Sequence, residues 1–184
     1  MGKLTVLIGL ARSGKSTFAS NWQTDVFTSG PPDAPRVIVN SDSIRLAMHG
    51  HRYIRESEPF VHAMTKVMVK ALHSQGYNVL IDETNTTVGS IRQWLEIDPD
   101  ATFIYLDTSV EVCQERARAT GQDDLVNVIP RMYRNLQETQ WYSLGGWEDI
   151  DAISHDADSD DFHVTEHRLM KTVELIRNEV KWAK

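Results

Sequence analysis

The segment from Thr5 to Thr17, TVLIGLARSGKST, constrains the fold of this chain more than any other. It joins a short apolar run to two glycines that bracket four residues, and a lysine and two hydroxyl residues follow. The apolar run predicts a buried strand, and the residues from Ser16 onward predict a helix. The glycines allow a tight turn in which the backbone can approach a ligand closely. A strand, a glycine loop and a helix are therefore expected in immediate succession.

This arrangement matches the phosphate-binding loop pattern G-x-x-x-x-G-K-S. Backbone N–H groups at a helix start favour anionic oxygens, and the helix dipole adds to that preference. Lys15 is expected to reach the β- and γ-phosphates of a nucleotide, and Ser16 to offer its hydroxyl to Mg²⁺. No N-K-x-D motif that would read guanine is present, which favours ATP. The residues expected to bind Mg-ATP are Gly9, Ala11, Arg12, Ser13, Gly14, Lys15, Ser16 and Thr17.

The remaining chain alternates strand and helix patterns. Short β-branched apolar runs predict buried strands at Leu4 to Gly9, Arg36 to Asn40, Asn78 to Asp82 and Thr102 to Asp107, and a fifth is predicted at Asp149 to Ser154. Helix signals follow each of the first four runs. Alternation of this kind predicts a parallel sheet with right-handed crossovers. The expected fold class is α/β, with four to five parallel strands and helices on both faces of the sheet.

Polar residues at the predicted helix starts indicate where the helices begin. The first helix is predicted at Ser16 to Trp22, and a closing helix at Thr165 to Trp182. Pro59 suits the first turn of the third helix, which is expected to end near Gly76. The predicted N-caps of the intervening helices are Asp42 or Ser43, Ser57, Thr86 or Thr87, and Ser109.

Length and charge bound the organisation of the chain. At 184 residues a single domain is expected over residues 1–184, with a lid at about 113–127 and a closing helix at 165–182. The net charge of -7 is local, because residues 148–161 hold seven acids and no Lys or Arg, leaving 19 acidic against 19 basic residues elsewhere. No apolar run approaches the ~18 residues of a membrane span, and a lone Cys113 agrees with a reducing compartment. A cytoplasmic location is expected.

The acceptor of the phosphate is expected where the later strands end, because parallel sheets bind ligands outside their carboxyl edge. Asp42 follows the second strand and could take a proton from a hydroxyl or cap the next helix. Ser41 or Ser43 could cap that helix instead, which would leave Asp42 free. Arg45, one turn later, could grip a phosphate of the acceptor or orient Asp42. After the third strand come Asp82, Glu83 and Asn85, which are expected to bind the acceptor or support the site.

Two further segments carry cations toward this edge. Arg116 and Arg118 precede Gly121 in the lid, where a guanidinium can contact the transferred phosphate. Since residues two apart on a helix do not share a face, both reach the phosphate only if the helix ends between them, and Arg116 is favoured. The stretch HGHRYIR, residues 49–55, could hold a nucleic-acid end by stacking Tyr53 on a base and placing Arg52 or Arg55 on a phosphate. It could equally be a plain loop.

Taken together, GLARSGKST, VNSDSIR, VLIDETNTT, the arginine-bearing lid and VIPRMYRNL resemble the kinase domain of phage-type polynucleotide 5′-hydroxyl kinases. These belong to the wider P-loop kinases that include zeta toxins. The resemblance extends from about Leu4 to Leu136. It implies that Asp42 is the general base, that Arg45 contacts a phosphate of the acceptor, and that Glu83 beside Asp82 is an essential acid. In that family two lid arginines usually lie a helical turn apart, whereas Thr120 stands four residues after Arg116 here and Arg118 is the other arginine.

These residues and the resemblance lead to an expected function with open alternatives. The chain is expected to be an ATP-dependent kinase acting on the 5′-hydroxyl of a DNA or RNA end. A small-molecule kinase, a kinase of hydroxymethyl groups on modified bases and a non-catalytic ATP-binding switch remain as alternatives. A chain of this length has no room for the phosphatase domain of the well-known phage enzyme. A separate phosphatase or ligase is therefore expected as a partner in nucleic-acid repair.

Overall fold

In the residues that the structure describes, the chain forms a sheet of six strands flanked by helices. The computed structural model describes residues 2–24, 34–141, 152–155, 162–165 and 171–182. The strands lie in the order β2-β3-β1-β4-β5-β6. Their bounds are β1 Leu4–Gly9, β2 Arg36–Val39, β3 Asn78–Ile81, β4 Thr102–Leu106, β5 Ala152–His155 and β6 Phe162–Thr165. The helices are α1 Lys15–Thr24, α2 Ser41–His49, α3 Glu58–Ser74, α4 Val88–Leu95, α5 Val110–Ala119, α6 Asp123–Trp141 and α7 Lys171–Trp182.

The parallel arrangement of the first four strands brings the ends of β1, β2 and β3 to one edge of the sheet. Val6 of the central strand is in register with Ile81 of β3, and Ile81 is in register with Val39 of β2. The residues that directly follow these strands are therefore neighbours, although they are far apart in the sequence. This edge holds the start of the glycine loop together with the polar residues after β2 and β3.

Alternation along the strands separates two hydrophobic cores. On one face Leu4, Val6 and Ile8 pack in a cluster that includes Val69 of α3 and Trp94 of α4. On the other face Leu7 and Leu80 pack with Ala19 of α1, with Phe18 and Trp22 beside them. A third cluster joins α5 and α6 to the glycine loop through Leu10, Cys113, Ala117 and Ile129. The predicted α/β class with helices on both faces is confirmed.

The helix starts agree with the sequence only in part. Thr87 and Ser109 accept backbone N–H bonds as N-caps, from Ser90 and Val112. The prediction that Asp42 or Ser43 caps α2 is wrong: Asn40 is the cap, because it has the extended backbone that a cap requires, with φ -137° and ψ 124°, and its side chain accepts from Ser43 N.

The third helix begins where the sequence predicts, but without the predicted cap bond. Ser57 has helical dihedrals, φ -89° and ψ -15°, because it ends a short 3₁₀ turn at Arg55–Ser57. Its side chain therefore makes no capping hydrogen bond. Pro59 lies in the first turn of α3, as predicted.

The carboxyl-terminal part of the fold differs from the sequence prediction. β5 pairs parallel with β4, but β6 is a sixth strand that pairs antiparallel with β5. Thr165 is consequently the last residue of a strand, and the closing helix is described from Lys171 rather than from residue 165. The aromatic and β-branched stretch FHVT suits an edge strand. This strand was not predicted, because the helical spacing of apolar residues in the segment that follows dominated the pattern. Of the acidic segment 148–161, only residues 152–155 are described.

No helix in the described ranges combines the length and apolar character needed to cross a bilayer.

Candidate active site

The glycine loop between β1 and α1 adopts the strained backbone that its sequence predicts. Gly9 has φ +155°, and a Cβ there would lie 2.8 Å from Ser13 Oγ and 3.0 Å from the Leu106 carbonyl oxygen. Arg12 at φ +67° and Gly14 at φ +99° have positive φ on either side of Ser13. Such alternation is typical of backbone nests, in which successive N–H groups face one anion. The loop thus has the form of an anion-binding site.

Lys15 is folded into this loop rather than projecting from the surface. It is 7% exposed, and its Nζ donates to the carbonyl oxygens of Gly9 at 3.2 Å and Leu10 at 2.5 Å. Burial lowers the pKa of Lys15 to about 8, against the opposing effect of Asp82, Cys113 and Asp42. The lysine therefore contributes to the loop structure in addition to any contact with phosphate.

Asp82 is a buried carboxylate at the end of β3, 6% exposed. Asn40 Nδ2 donates to Asp82 Oδ2 at 2.8 Å, and the carboxylate acts electrostatically on Lys15. An acid that directly follows a buried strand is the usual metal-side carboxylate of phosphate-loop enzymes. From the sequence, only Ser16 was predicted to contact the metal. The Asp that directly follows the apolar run NVLI was the signal for a second metal contact.

The side-chain oxygens at this edge are suited to Mg²⁺, which needs few protein ligands, rather than to a metal ion that is coordinated entirely by side chains. In the described part of the chain no three His, Cys, Asp or Glu side chains are grouped to hold a metal ion. Mg²⁺ keeps several waters and commonly takes only one or two protein oxygens plus phosphate oxygens. Ser16, next to Lys15, and Asp82 could supply those two.

Asp42 lies on the acceptor side, in the first turn of α2. Its side chain is 77% exposed, and Arg45 Nη1 donates to its Oδ1 at 2.5 Å. Arg45 also donates to Glu58 from Nε at 2.8 Å and from Nη2 at 2.6 Å. Since a guanidinium has five N–H donors and three are used here, two remain for an anion. Glu58 was missed in the sequence because the pairing spans two helices.

Glu83 lies deeper on the same side. It accepts from the Ser41 hydroxyl, and Ser41 Oγ is 3.1 Å from Thr65 Oγ1. Burial raises the pKa of the Glu83 carboxyl, opposed by the hydrogen bond from Ser41. Glu83 thus links the start of α2 to the end of β3, and it is less exposed than Asp42.

Asn85 is a structural link rather than an accessible group. It is 3% exposed, its Nδ2 donates to the Leu7 carbonyl oxygen at 2.8 Å, and its Oδ1 accepts from Trp94 Nε1 at 2.8 Å. The neighbouring Thr84 carbonyl oxygen accepts from Gly9 N at 3.0 Å. The segment after β3 is therefore bound to β1 at the point where the glycine loop begins. Of the two roles expected for Asn85, this geometry favours support.

The segment predicted as a lid, residues 113–127, brings one arginine to the glycine loop and leaves the other outside. α5 continues through both arginines to Ala119, and Gly121 at φ +66° follows. Arg116 Nη1 donates to the Arg12 carbonyl oxygen at 3.2 Å. Its Nη2 is buried with no hydrogen-bond partner in the described residues. Arg118 lies two residues after Arg116 and therefore points to a different side of α5. It is exposed, so the structure does not place it as a nucleotide contact.

The stretch at residues 49–55 follows α2 and is open to solvent. Tyr53 is 63% exposed, and Arg52 is exposed beside it. The rings of His49 and His51 stack with centroids 6.0 Å apart. An exposed aromatic ring therefore lies next to an exposed arginine in the sequence after α2.

Residues 4–137 match the model of the family described as AAA domain. Comparison with curated proteins gives no significant match. A chain of the Pnkp1/Rnl/Hen1 RNA repair complex is similar over 77% of this protein and 46% of its own length, with a TM-score of 0.64 and 25% identity. A second structure of the Pnkp1/Rnl/Hen1 complex is 32% identical over 62% of this protein and 39% of its own length, with a TM-score of 0.53. The protein thus spans less than half the length of the chains it matches there.

A gluconokinase from Sinorhizobium meliloti 1021 covers 98% of this protein and 93% of its own length, with a TM-score of 0.51 and 14% identity. At that identity the likeness shows the fold alone.

Proposed function

Because the chain belongs to the AAA domain family, we propose that it is a P-loop phosphotransferase that moves the γ-phosphate of ATP to the 5′-hydroxyl of a DNA or RNA end. One observation carries this proposal. The parallel registers of β1, β3 and β2 bring the glycine loop with Lys15, the buried Asp82 after β3 and the exposed Asp42 after β2 to the same edge of the sheet. A phosphate held by Lys15 would therefore have a metal-side acid and an accessible acid close by.

Asp42 is suited to act as the general base. Asn40 caps α2, so the carboxylate of Asp42 has no capping duty, and its exposure leaves room for a hydroxyl. In the proposed step Asp42 accepts the hydroxyl proton, the hydroxyl oxygen bonds to the γ-phosphorus, and the bond from that phosphorus to the β–γ bridging oxygen breaks. ADP carries away the electron pair. Positioning contributes most to such transfers, because their transition state is loose.

Cations of the chain would stabilise the charge on the transferred group. Lys15 lies in the loop, and Arg116 has a buried nitrogen without a partner among the described residues. Ser16 and Asp82 would hold Mg²⁺, which offsets negative charge on the phosphate oxygens when it is bound. An arginine at this step contributes strongly to the rate in related chemistry.

The acceptor side favours a hydroxyl that has a phosphate near it. Arg45 has two unused N–H donors beside Asp42, and Arg52 and Tyr53 form an exposed cationic and aromatic surface after the same helix. A nucleic-acid end offers a hydroxyl, a phosphate and a base, whereas a simple sugar offers only the hydroxyl. The similarity to chains of an RNA repair complex supports the same class of acceptor.

The same similarity supports action within a repair assembly, together with a separate phosphatase or ligase. Such a partner would prepare or join the ends that this chain phosphorylates.

An acceptor screen with labelled ATP tests the proposal. The acceptors are 5′-hydroxyl DNA, 5′-hydroxyl RNA, nucleoside 3′-monophosphates, nucleosides and sugars. We expect transfer to both polymers and far better use of nucleoside 3′-monophosphates than of nucleosides, because only the former offer Arg45 a phosphate. Equal use of the two would favour a small-molecule kinase. Binding of ATP without transfer to any acceptor would favour an ATP-binding switch.

A further inference from the structure

Three residues link the glycine loop and the lid in a closed ring of hydrogen bonds. Arg12 Nη2 donates to Thr120 Oγ1 at 2.6 Å. The Thr120 hydroxyl lies 2.8 Å from the Arg116 carbonyl oxygen, to which it donates. Arg116 Nη1 in turn donates to the Arg12 carbonyl oxygen at 3.2 Å. The ring therefore fixes Arg116 at both its backbone and its guanidinium.

The ring contains two arginines and no acidic residue. Neither Arg12 nor Arg116 has an ion-pair partner among the described residues, and Arg116 Nη2 is buried without a hydrogen bond. A buried donor of a charged group is costly when it has no partner. An anion at the loop would accept a hydrogen bond from this nitrogen.

Arg12 owes its place in the ring to the loop backbone. Its φ of +67° lies in the left-handed region, which is unusual for a residue with a side chain. Thr120 follows Arg116 by one helical turn, which puts both on the side of α5 that meets the loop. Hydrogen bonds in a closed network also strengthen one another.

We propose that Arg12 and Thr120 are positioning residues that hold the Arg116 guanidinium where Nη2 can donate to the terminal phosphate of a bound nucleoside triphosphate. This inference rests on the proposed function for the identity of the phosphate donor, a nucleoside triphosphate. It does not depend on which acceptor receives the phosphate. The ring makes the lid arginine preorganised, so that little side-chain freedom is lost when the phosphate binds.

The test measures binding by calorimetry with two probes, ADP and the non-hydrolysable analogue AMPPNP, in Mg²⁺. Thr120→Val removes the hydroxyl at nearly constant shape. We expect it to weaken AMPPNP binding roughly tenfold and to leave ADP binding within twofold, since only AMPPNP has a γ-phosphate. Thr120→Ser should restore the parent affinity. Glu115→Ala, an exposed change one residue before Arg116, is the matched control and should alter neither affinity.

A double-mutant comparison shows whether the effect passes through Arg116. In an Arg116→Ala background, Thr120→Val should cause no further loss. Arg12→Lys, which keeps the charge but loses the planar donor, should reproduce the loss of Thr120→Val and keeps the test decisive if the valine variant does not fold.

Unchanged AMPPNP affinity in Thr120→Val or in Arg116→Ala would overturn the proposal. Equal losses for ADP and AMPPNP, or additive losses in the double variant, would overturn it as well. Failure of the parent to phosphorylate any acceptor would overturn the proposed function instead, and the two affinities would still decide this inference.

Discussion

Arg45 and Glu58 form a two-point ion pair, with Nε 2.8 Å from Oε1 and Nη2 2.6 Å from Oε2. Both side chains are 14% exposed, so the pair is largely shielded from water. Glu58 of α3 therefore holds the Arg45 guanidinium in place. Only the N–H groups that Glu58 does not use are available to Asp42 and to an acceptor. The acceptor side of the site depends on how α2 and α3 pack together.

Glu58→Gln is expected to weaken use of phosphate-bearing acceptors. Glutamine keeps one acceptor atom but removes the charge, so Arg45 loses its fixed position. We expect kcat/KM for a 5′-hydroxyl oligonucleotide to fall roughly tenfold, in line with the loss of one charged hydrogen bond. Glu56→Gln, an exposed change two residues earlier, is the matched control. A Glu58→Gln enzyme as active as the control would contradict the role of the pair.

The same substitution should change how stability depends on pH. The hydrogen bond from Arg45 lowers the pKa of Glu58 from its ordinary value of 4.5. A lowered pKa contributes stability that is fully present above pH 4.5 and is lost as the pH falls through the lower value in the folded protein. The parent should therefore lose more unfolding free energy than Glu58→Gln between about pH 5 and 3, measured by denaturant titration. Parallel curves would show that the pair does not contribute.

Lys15→Ala is expected to abolish phosphate transfer. Removal of one preorganised donor to a reacting phosphate typically costs ~10² to 10³ in rate. Because Lys15 Nζ also holds the Gly9 and Leu10 carbonyl oxygens, we expect a modest loss of unfolding free energy besides, which a surface lysine would not give. Rates with labelled ATP and denaturant unfolding check the two effects. Transfer at the parent rate would refute the role of the loop.

Asp42→Asn separates a kinase from an ATP-binding switch. Asparagine has the size of aspartate but accepts no proton, so transfer should fall by ~10² to 10⁴. The affinity for ATP, measured by calorimetry, should stay within a few fold because the loop is unaltered. Asp100→Asn, at a carboxylate that is 81% exposed and pairs with Lys181, serves as control. Undiminished turnover in Asp42→Asn would exclude Asp42 as the base.

Asn85→Ala is expected to destabilise the fold by roughly 2–4 kcal/mol, because it leaves the buried Trp94 Nε1 and the Leu7 carbonyl oxygen without their partner. Urea unfolding measures the change, with the exposed Asn21→Ala as control. A loss no larger than in the control would show that the segment after β3 is not held by this residue.

The strands and the glycine loop were predictable because their signals are local. A continuous apolar run bounded by polar residues indicates a buried strand wherever the rest of the chain lies, as in β1 and β3. The edge at which the polar residues gather follows from the parallel order. The sequence was therefore enough to predict that the segments holding Asp42 and Asp82 emerge at one edge of the sheet, the carboxyl edge of its parallel strands.

The rest depends on contacts between distant segments. Whether Asn40, Asp42 or Ser43 caps α2 is decided by the dihedrals of a single residue, since all three side chains can cap. Glu58 and Thr120 acquire their roles only when helices and loop pack together. β6 is short and lies at the sheet edge, where pairing with β5 decides its conformation more than its own composition does.

The position of β1 has a consequence for synthesis of the protein. β1 carries the glycine loop at the start of the chain, yet it is paired on both sides by strands made much later, β3 and β4. Such non-local pairing delays folding. A ribosome-bound chain that ends before β3 should bind no nucleotide analogue, whereas one extended well beyond β4 should bind it. In the cell, ATP would then bind only to chains whose central sheet is complete. Its binding would stabilise those chains relative to unfinished ones.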